Sequence, residues 1–238
     1  MPFHHYIPLT EPAKSGLELT LDPDRSAYLC RVMRARKGQR VSCFDGAGQG
    51  FDCEVIQASP KQTRLIVLEA LVPVPIDEPS LSLGMCLIKG PGQDRAIASA
   101  VELGAAEIWL CASARTNVKL DGKRRENKLD HWRKVVIAAA EQSGRLHLPR
   151  LEMSGLAELM EQNVRPMMVL HEHAAQLPRR LAPANYLMLV GPEGGWSEEE
   201  LAQFEAKQMK TVSLASHTLR AETVPSVALA LCGQAMQP

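Results

Sequence analysis

The chain has 238 residues, with 45% hydrophobic and 23% charged residues, ordinary values for a globular protein of one large or two modest domains. Lys+Arg and Asp+Glu are both 27, so the net charge is zero and whole-molecule steering toward a polyanion is excluded; any nucleic-acid binding has to come from local patches. The six cysteines, at 30, 43, 53, 86, 111 and 232, include no C-x-x-C pair, which argues against a zinc ribbon or a thioredoxin-like motif.

The start, MPFHHYIPLT, lacks a charged segment followed by an apolar one, and no apolar run reaches membrane-spanning length. These features predict a cytoplasmic protein with reduced thiols and no membrane partner. Asp24–Ala35 is helix-like and ends before Lys37-Gly38. Val41–Phe44 leads into a turn-rich Asp45-Gly46-Ala47-Gly48, Phe51–Ile56 alternates like a strand, and Leu65–Leu68 is another strand. Pro73, Pro75 and Pro79 mark a linker at about 70–79. The expected division is a small β-rich domain over 1–72 and a second domain over 73–238.

Beyond the linker, strands and helices alternate. Leu81–Ile88 is an apolar strand, and Asp94–Leu103 a helix with Gly104 at its C′ position. Ile108–Leu110 is a strand; Leu129–Gln142 is a helix stopped by Ser143-Gly144. Met167–Leu170 and Tyr186–Val190 are strands, Ser197–Lys207 a helix, Thr211–Leu214 a strand and Val224–Met236 a last apolar helix. Such alternation predicts an α/β domain with a mostly parallel sheet covered on both faces.

The most informative segment is YLMLVGPEGGWSEEEL, residues 186–201. A buried strand ends in Gly191-Pro192-Glu193-Gly194-Gly195 and a helix begins at once, with Ser197 and Glu200 forming an S-x-x-E capping box. In open α/β sheets the ligand crevice lies at the carboxyl ends of strands, and adjacent glycines let a backbone approach a ligand closely. The spacing is neither G-x-G-x-x-G nor a P-loop. Glu193, Glu198, Glu199 and Glu200 would repel a pyrophosphate and suit a neutral or cationic ligand. From the loop alone, a ligand site and a tight turn before an ordinary capped helix are equally open.

Two further segments carry polar residues beside apolar helices. In SLASHTLRAETVPSVAL, residues 213–229, Arg220 and Glu222 precede Thr223, a plausible N-cap with Pro225 in the first turn. In HWRKVVIAAAEQSGR, residues 131–145, Val135, Val136, Ala139 and Ala140 make a buried face that ends in Glu141-Gln142-Ser143-Gly144-Arg145. Alone, each reads more readily as a solvated surface than as a site. His171-Glu172-His173 is not H-E-x-x-H, so no metal is expected there; these residues end a strand beside the glycine loop.

Taken together and in order, Val190–Gly195, Leu219-Arg220-x-Glu222-Thr223, Glu141-Gln142-x-Gly144-Arg145, Lys89-Gly90 with Glu102-Leu103-Gly104, and Asp45-Gly46 near Phe51 resemble the RsmE family of ribosomal RNA methyltransferases, in the SPOUT superfamily. The resemblance spans essentially the whole chain. It departs at Ala215-Ser216-His217, where the family usually has Gly-Pro-Arg, at Ala221 for a threonine, at Ser99 for a lysine, and at His4 and His5 where arginines are usual.

The resemblance implies a PUA-like β-barrel followed by a SPOUT-type parallel sheet with a C-terminal trefoil knot, acting as a homodimer. It implies S-adenosylmethionine as cofactor and N3 of a uridine in small-subunit (16S) ribosomal RNA as the methyl acceptor. The implied cofactor residues are Leu170, His171, Glu172, Gly191, Glu193, Gly194, Gly195, Leu214, Ala215, Leu219 and Thr223. Arg220 and Glu222 are the catalytic candidates: uridine N3 carries a proton, so a base or an anion-stabilising cation is needed.

Arg31, Arg34, Arg36, Lys37 and Arg40 form an acid-free run, and Arg115, Lys119, Lys123, Arg124, Arg125 and Lys128 a second cluster. Such runs are commonly solvated faces. With the resemblance, RNA contact is expected at Arg31, Arg34, Lys37, Lys89, Arg115, Gln142 and Arg145. A related enzyme acting on another RNA, such as transfer RNA, and a non-catalytic RNA-binding protein are the alternatives.

Overall fold

A computed structural model describes residues 4–76, 78–118 and 120–237; Lys119 of the second basic cluster lies outside them. The chain divides into two compact units, the first comprising residues up to Ile76 together with Ala140–Leu148, the second Asp77–Ala139 and Pro149–Pro238.

The first unit is built on a mixed five-stranded sheet. Its strands are β1 (His4–Tyr6), β2 (Glu18–Thr20), β3 (Arg40–Phe44), β4 (Gly50–Gln57) and β5 (Arg64–Ala70), in the order β1-β3-β4-β5-β2. Alternation in β4 and β5 sends Cys53, Val55, Leu65 and Val67 into one core with Phe51 and Leu29. The Asp45 carboxylate closes the turn between β3 and β4 by accepting from the Ala47 and Gln49 amides (2.7 and 3.0 Å). Residues 140–148 belong here because Gly48 N–H donates to the Leu146 carbonyl and Leu148 N–H to that of Gly46. No sequence signal announced this return.

The helix expected over Asp24–Ala35 is shorter and changes type. Asp22 caps it with its side chain on Arg25 N–H, α1 covers Pro23–Ala27, and a wider π-turn follows over Tyr28–Val32. It stops at Arg34, whose φ of 54° is incompatible with a continuing right-handed helix. The three-residue strands β1 and β2 were missed because so few residues carry no readable period.

The second unit holds six strands: β6 (Leu81–Cys86), β7 (Glu107–Ala112), β8 (Arg150–Gly155), β9 (Met167–Leu170), β10 (Tyr186–Val190) and β11 (Lys210–Val212). Its helices are α2 (Gly92–Glu102), α3 (Gly122–Ser143, whose last turn lies in the first unit), α4 (Leu156–Gln162), α5 (Glu198–Ala206) and α6 (Val224–Ala235). Every strand pairing is parallel, in the order β11-β9-β10-β6-β7-β8. The central β6 is buried at all six positions, which is why it reads as a continuous apolar run. Gly104, with φ 84°, closes α2 as expected.

β8 and α4 were not foreseen; β8 buries only Leu151 fully, so its sequence shows no strand pattern. β11 is shorter than expected because Ser213 turns its N–H to the Ala175 carbonyl (2.8 Å). From β6 the sheet grows through β7 and β8 on one side and through β10, β9 and β11 on the other. That reversal places a crevice at the carboxyl ends of the strands around β6.

Gln49 is the main polar fixture of the first unit. It is buried, accepts from Ala13 N–H (2.8 Å) and donates to the Ala13 and Leu71 carbonyls. Gln49→Leu strands those groups and should destabilise the first unit by about 2–4 kcal/mol, seen as lost hydrogen-exchange protection at the Cys53 amide, with the second unit unaffected.

Candidate active site

A cleft of about 820 Å³ opens at the carboxyl ends of β9, β10 and β11. β9 delivers Leu170, His171 and Glu172, and β10 delivers Gly191, Glu193, Gly194 and Gly195. The loop after β11 delivers Leu214, Ala215, Leu219, Arg220 and Glu222. These expected residues thus meet in one place from three separate segments. Thr223 does not line the cleft. It occupies the N-cap position of α6, but its backbone is already helical (φ −86°, ψ −31°), so its side chain makes no capping bond.

The β10 loop is held from both ends. Ser197 and Glu200 form the reciprocal capping box, and the other Glu200 oxygen accepts from Ala114 N–H (2.8 Å), so this buried carboxylate ties α5 to the segment after β7. Trp196 carries the other end. Its indole N–H donates to the Leu170 carbonyl (3.0 Å), and its ring packs edge-on against Phe204 (centroids 5.0 Å apart). A Cβ at Gly191 would sit 3.2 Å from this ring, so glycine permits the approach. Trp196 was legible only as an aromatic following the glycine loop.

Arg115, expected to bind RNA, lies on the cleft wall, where its guanidinium donates to the Gly194 carbonyl (3.0 Å). A Cβ at Gly194 would meet Arg115 Cβ at 3.3 Å, so this glycine sits directly under the arginine. Glu193 accepts from Lys89 N–H (2.9 Å), and Glu172 accepts from the Thr218 hydroxyl, joining the β9 and β11 loops. Four carboxylates, of Glu172, Glu193, Glu198 and Glu222, face two guanidiniums, of Arg115 and Arg220. The excess of negative charge favours a cationic ligand. Among the described residues no group of three or more His, Cys, Asp or Glu is placed to hold a metal ion, and no helix is long and apolar enough to cross a membrane.

Glu222 and Arg220, the two catalytic candidates, form no ion pair with each other. The ion-pair partner of Glu222 is instead Arg95 of α2, at 3.1 Å, because α2 packs against α6 and carries Arg95 to the cleft edge. Arg220 contributes its carbonyl to the Thr223 and Val224 amides, and its exposed side chain makes no ion pair among the described residues. The Glu222 backbone amide and the Arg95 guanidinium, with Arg220 beyond, hold the Glu222 carboxyl below the usual glutamate range.

The other expected RNA residues are dispersed. Arg31, Arg34 and Lys37 are exposed in the first unit, as is Gln142, while Arg145 there is partly buried. Lys89 lies in the second unit, on the loop after β6. Glu141, beside Gln142, serves the first unit itself: it accepts from Tyr6 N–H (3.0 Å), and burial raises its pKa.

The Glu222 assignment has a direct check. A carboxylate stabilised by a cation titrates low and rises when the cation is removed. In Arg95→Ala the Glu222 carboxyl carbon, followed by NMR, should titrate closer to an ordinary glutamate than in the parent chain. An unchanged midpoint would show that Arg95 does not hold this group.

The RNA methyltransferase domain family matches residues 77–233, and the RNA methyltransferase PUA domain family matches residues 21–68. The ribosomal RNA small subunit methyltransferase E of Mycobacterium bovis is 31% identical over 229 residues, covering 92% of this chain and 87% of the relative. The protein of the same name from Synechocystis is 31% identical over 89% of this chain and 71% of its own length. Among solved structures, the ribosomal RNA small subunit methyltransferase E of Neisseria gonorrhoeae bound to S-adenosyl methionine superposes with a TM-score of 0.84 at 27% identity, over 97% of this chain and 96% of that one. A methyltransferase from Legionella pneumophila, solved with bound SAM, gives a TM-score of 0.88 at 25% identity over 97% and 96%. With its catalytic family matched over residues 77–233 and these relatives aligned over most of its length, the chain belongs to the ribosomal RNA small subunit methyltransferase E family of RNA methyltransferases.

Proposed function

We propose that the chain transfers a methyl group from S-adenosylmethionine to N3 of a uridine in small-subunit ribosomal RNA. The observation that carries this reading is the acid-rich cleft assembled by the Gly191–Gly195 loop and its two neighbouring loops, in a chain of this family. Its volume of about 820 Å³ and its surplus of carboxylates fit a nucleoside bearing a sulfonium cation. Gly195, beside which a Cβ would meet nothing within 4 Å, leaves backbone open to close approach. When bound, the cofactor supplies an electrophilic methyl; a C–N3 bond forms as the C–S bond breaks, and the N3 proton has to leave.

Proton removal is the work of Glu222 and Arg220. A carboxylate held ionised as Glu222 is makes a weak base toward a neutral imide. It becomes a competent acceptor as the new bond draws electrons from N3 and acidifies its proton. Arg220, which makes no ion pair among the described residues, can stabilise negative charge on the uracil carbonyls. Arg95 holds the carboxylate in place.

RNA affinity is assigned in part to Arg31, Arg34 and Lys37, which are exposed and form no ion pair among the described residues. The accompanying proposals are that residues 1–72 form a PUA-like barrel that binds RNA and residues 73–238 catalyse. The carboxyl-terminal loops form a trefoil knot, and the enzyme acts as a cytoplasmic homodimer.

Single-turnover methylation of small ribosomal subunits lacking the modification, with the product nucleoside identified by mass spectrometry, tests the reaction. Glu222→Gln should lower that rate by about 10²-fold or more while S-adenosylmethionine affinity changes little. A near-normal rate would remove Glu222 from the chemistry and leave Arg220 to act alone.

A further inference from the structure

A second cavity, of about 650 Å³, is lined by the Lys89-Gly90 loop, whose Lys89 N–H is bonded to Glu193. Its character is opposite to that of the cleft. Lys89, Arg124 and Lys128 line it, with Thr116 and Asn117, and among the described residues no aspartate or glutamate does. None of the three cations makes an ion pair among the described residues, although Lys128 stands over the Trp132 ring (5.8 Å to the centroid). Three unneutralised cations around one concavity repel one another and are favoured by an anion between them.

The floor carries an independent signal. Gln93, in the first turn of α2, lines the cavity and is only 2% exposed. Its side-chain oxygen accepts from Ile88 N–H (3.0 Å), which fixes the amide's orientation, because a flipped amide would set N–H against N–H. The side-chain nitrogen is then a buried donor that makes no hydrogen bond to any described residue. Buried donors are nearly always satisfied, so this one calls for an acceptor. The start of α2 has no side-chain cap, and Asp94 in its first turn is engaged by the Trp132 indole and His131, so the case for an anion rests on Gln93 and the three cations.

We propose that this cavity binds a phosphate group of the substrate RNA backbone, flanking the nucleotide presented to the acidic cleft. The inference rests on the RNA-methylating function proposed above. The hydrogen bond from Lys89 N–H to Glu193 links the two sites, so a strand anchored here would be positioned relative to the cleft. A diester anion supplies acceptors for Gln93 Nε2 and for the three cations at once.

The test is the double variant Arg124→Glu/Lys128→Glu, at two exposed positions where folding should be unaffected. Filter binding to small ribosomal subunits should weaken at least tenfold, with a salt dependence shallower by about one or two in slope. S-adenosylmethionine affinity and the methylation rate at saturating subunits should stay near normal. Gln93→Glu, which keeps the acceptor for Ile88 N–H but replaces the donor with an anion, should also weaken binding, with thermal melting as the folding control. Unchanged affinity and salt slope in the double variant would overturn the proposal. So would inorganic phosphate shifting the Trp132 indole resonance with RNA affinity indifferent to the variants, since the cavity would then serve free phosphate. Because binding is read separately from turnover, a parent chain that binds RNA through these residues yet does not methylate would overturn the proposed reaction and leave this inference standing.

Discussion

The hydrogen bond from the Trp196 indole to the Leu170 carbonyl holds the cleft in shape. It joins the carboxyl end of β9 to the loop leaving β10, two of the three segments that supply the cleft wall. It can form only because Gly191 lets the ring lie against the backbone, and because Phe204 of α5 closes the far side. Trp196 is 4% exposed and Phe204 fully buried, so truncating either would cost about 3–5 kcal/mol by the usual scale for core aromatics. The Ser197–Glu200 box and the Glu200–Ala114 bond brace the same loop from the α5 side. A glycine-rich segment, flexible by composition, is thereby fixed by its flanks.

A chain of zero net charge can still present strong local fields, and this one separates them across a short loop. Lys89 gives its backbone amide to Glu193 in the acidic cleft, while Lys89 itself lines the basic cavity with Arg124 and Lys128. Carboxylates on one side suit a sulfonium; cations on the other suit a phosphate. Long-range attraction of RNA is not to be expected from such a molecule, and recognition falls to short-range contacts whose strength depends on salt.

How much of this could be read in advance varied with the physical range of the cause. The β10–loop–α5 segment was legible because a buried strand, a double glycine and a capping box are adjacent in sequence. The central β6 was legible because burial on both faces leaves an unbroken apolar run. The Arg95 partner of Glu222 was not, since the pairing depends on α2 and α6 meeting in space. The attachment of residues 140–148 to the first unit was hidden likewise, being made by backbone hydrogen bonds to Gly46 and Gly48 that leave no side-chain signature. Thr223 matched a capping pattern, but a cap needs an extended backbone, and the turn through Arg220 leaves it helical. The role of Gln93 is not legible in the sequence, because its burial and its unpartnered nitrogen follow from tertiary packing alone.

The acidic cleft as cofactor site is tested most directly by isothermal calorimetry with S-adenosylmethionine, using the parent chain and Gly194→Val. A Cβ at Gly194 already meets Arg115 at 3.3 Å, and a branched side chain would thrust into both the arginine and the cleft. Saturable binding is expected for the parent chain, with a loss of at least tenfold in the variant, whose circular dichroism stays that of the parent. No binding by the parent chain, or equal affinity in both, would contradict the cleft's assignment.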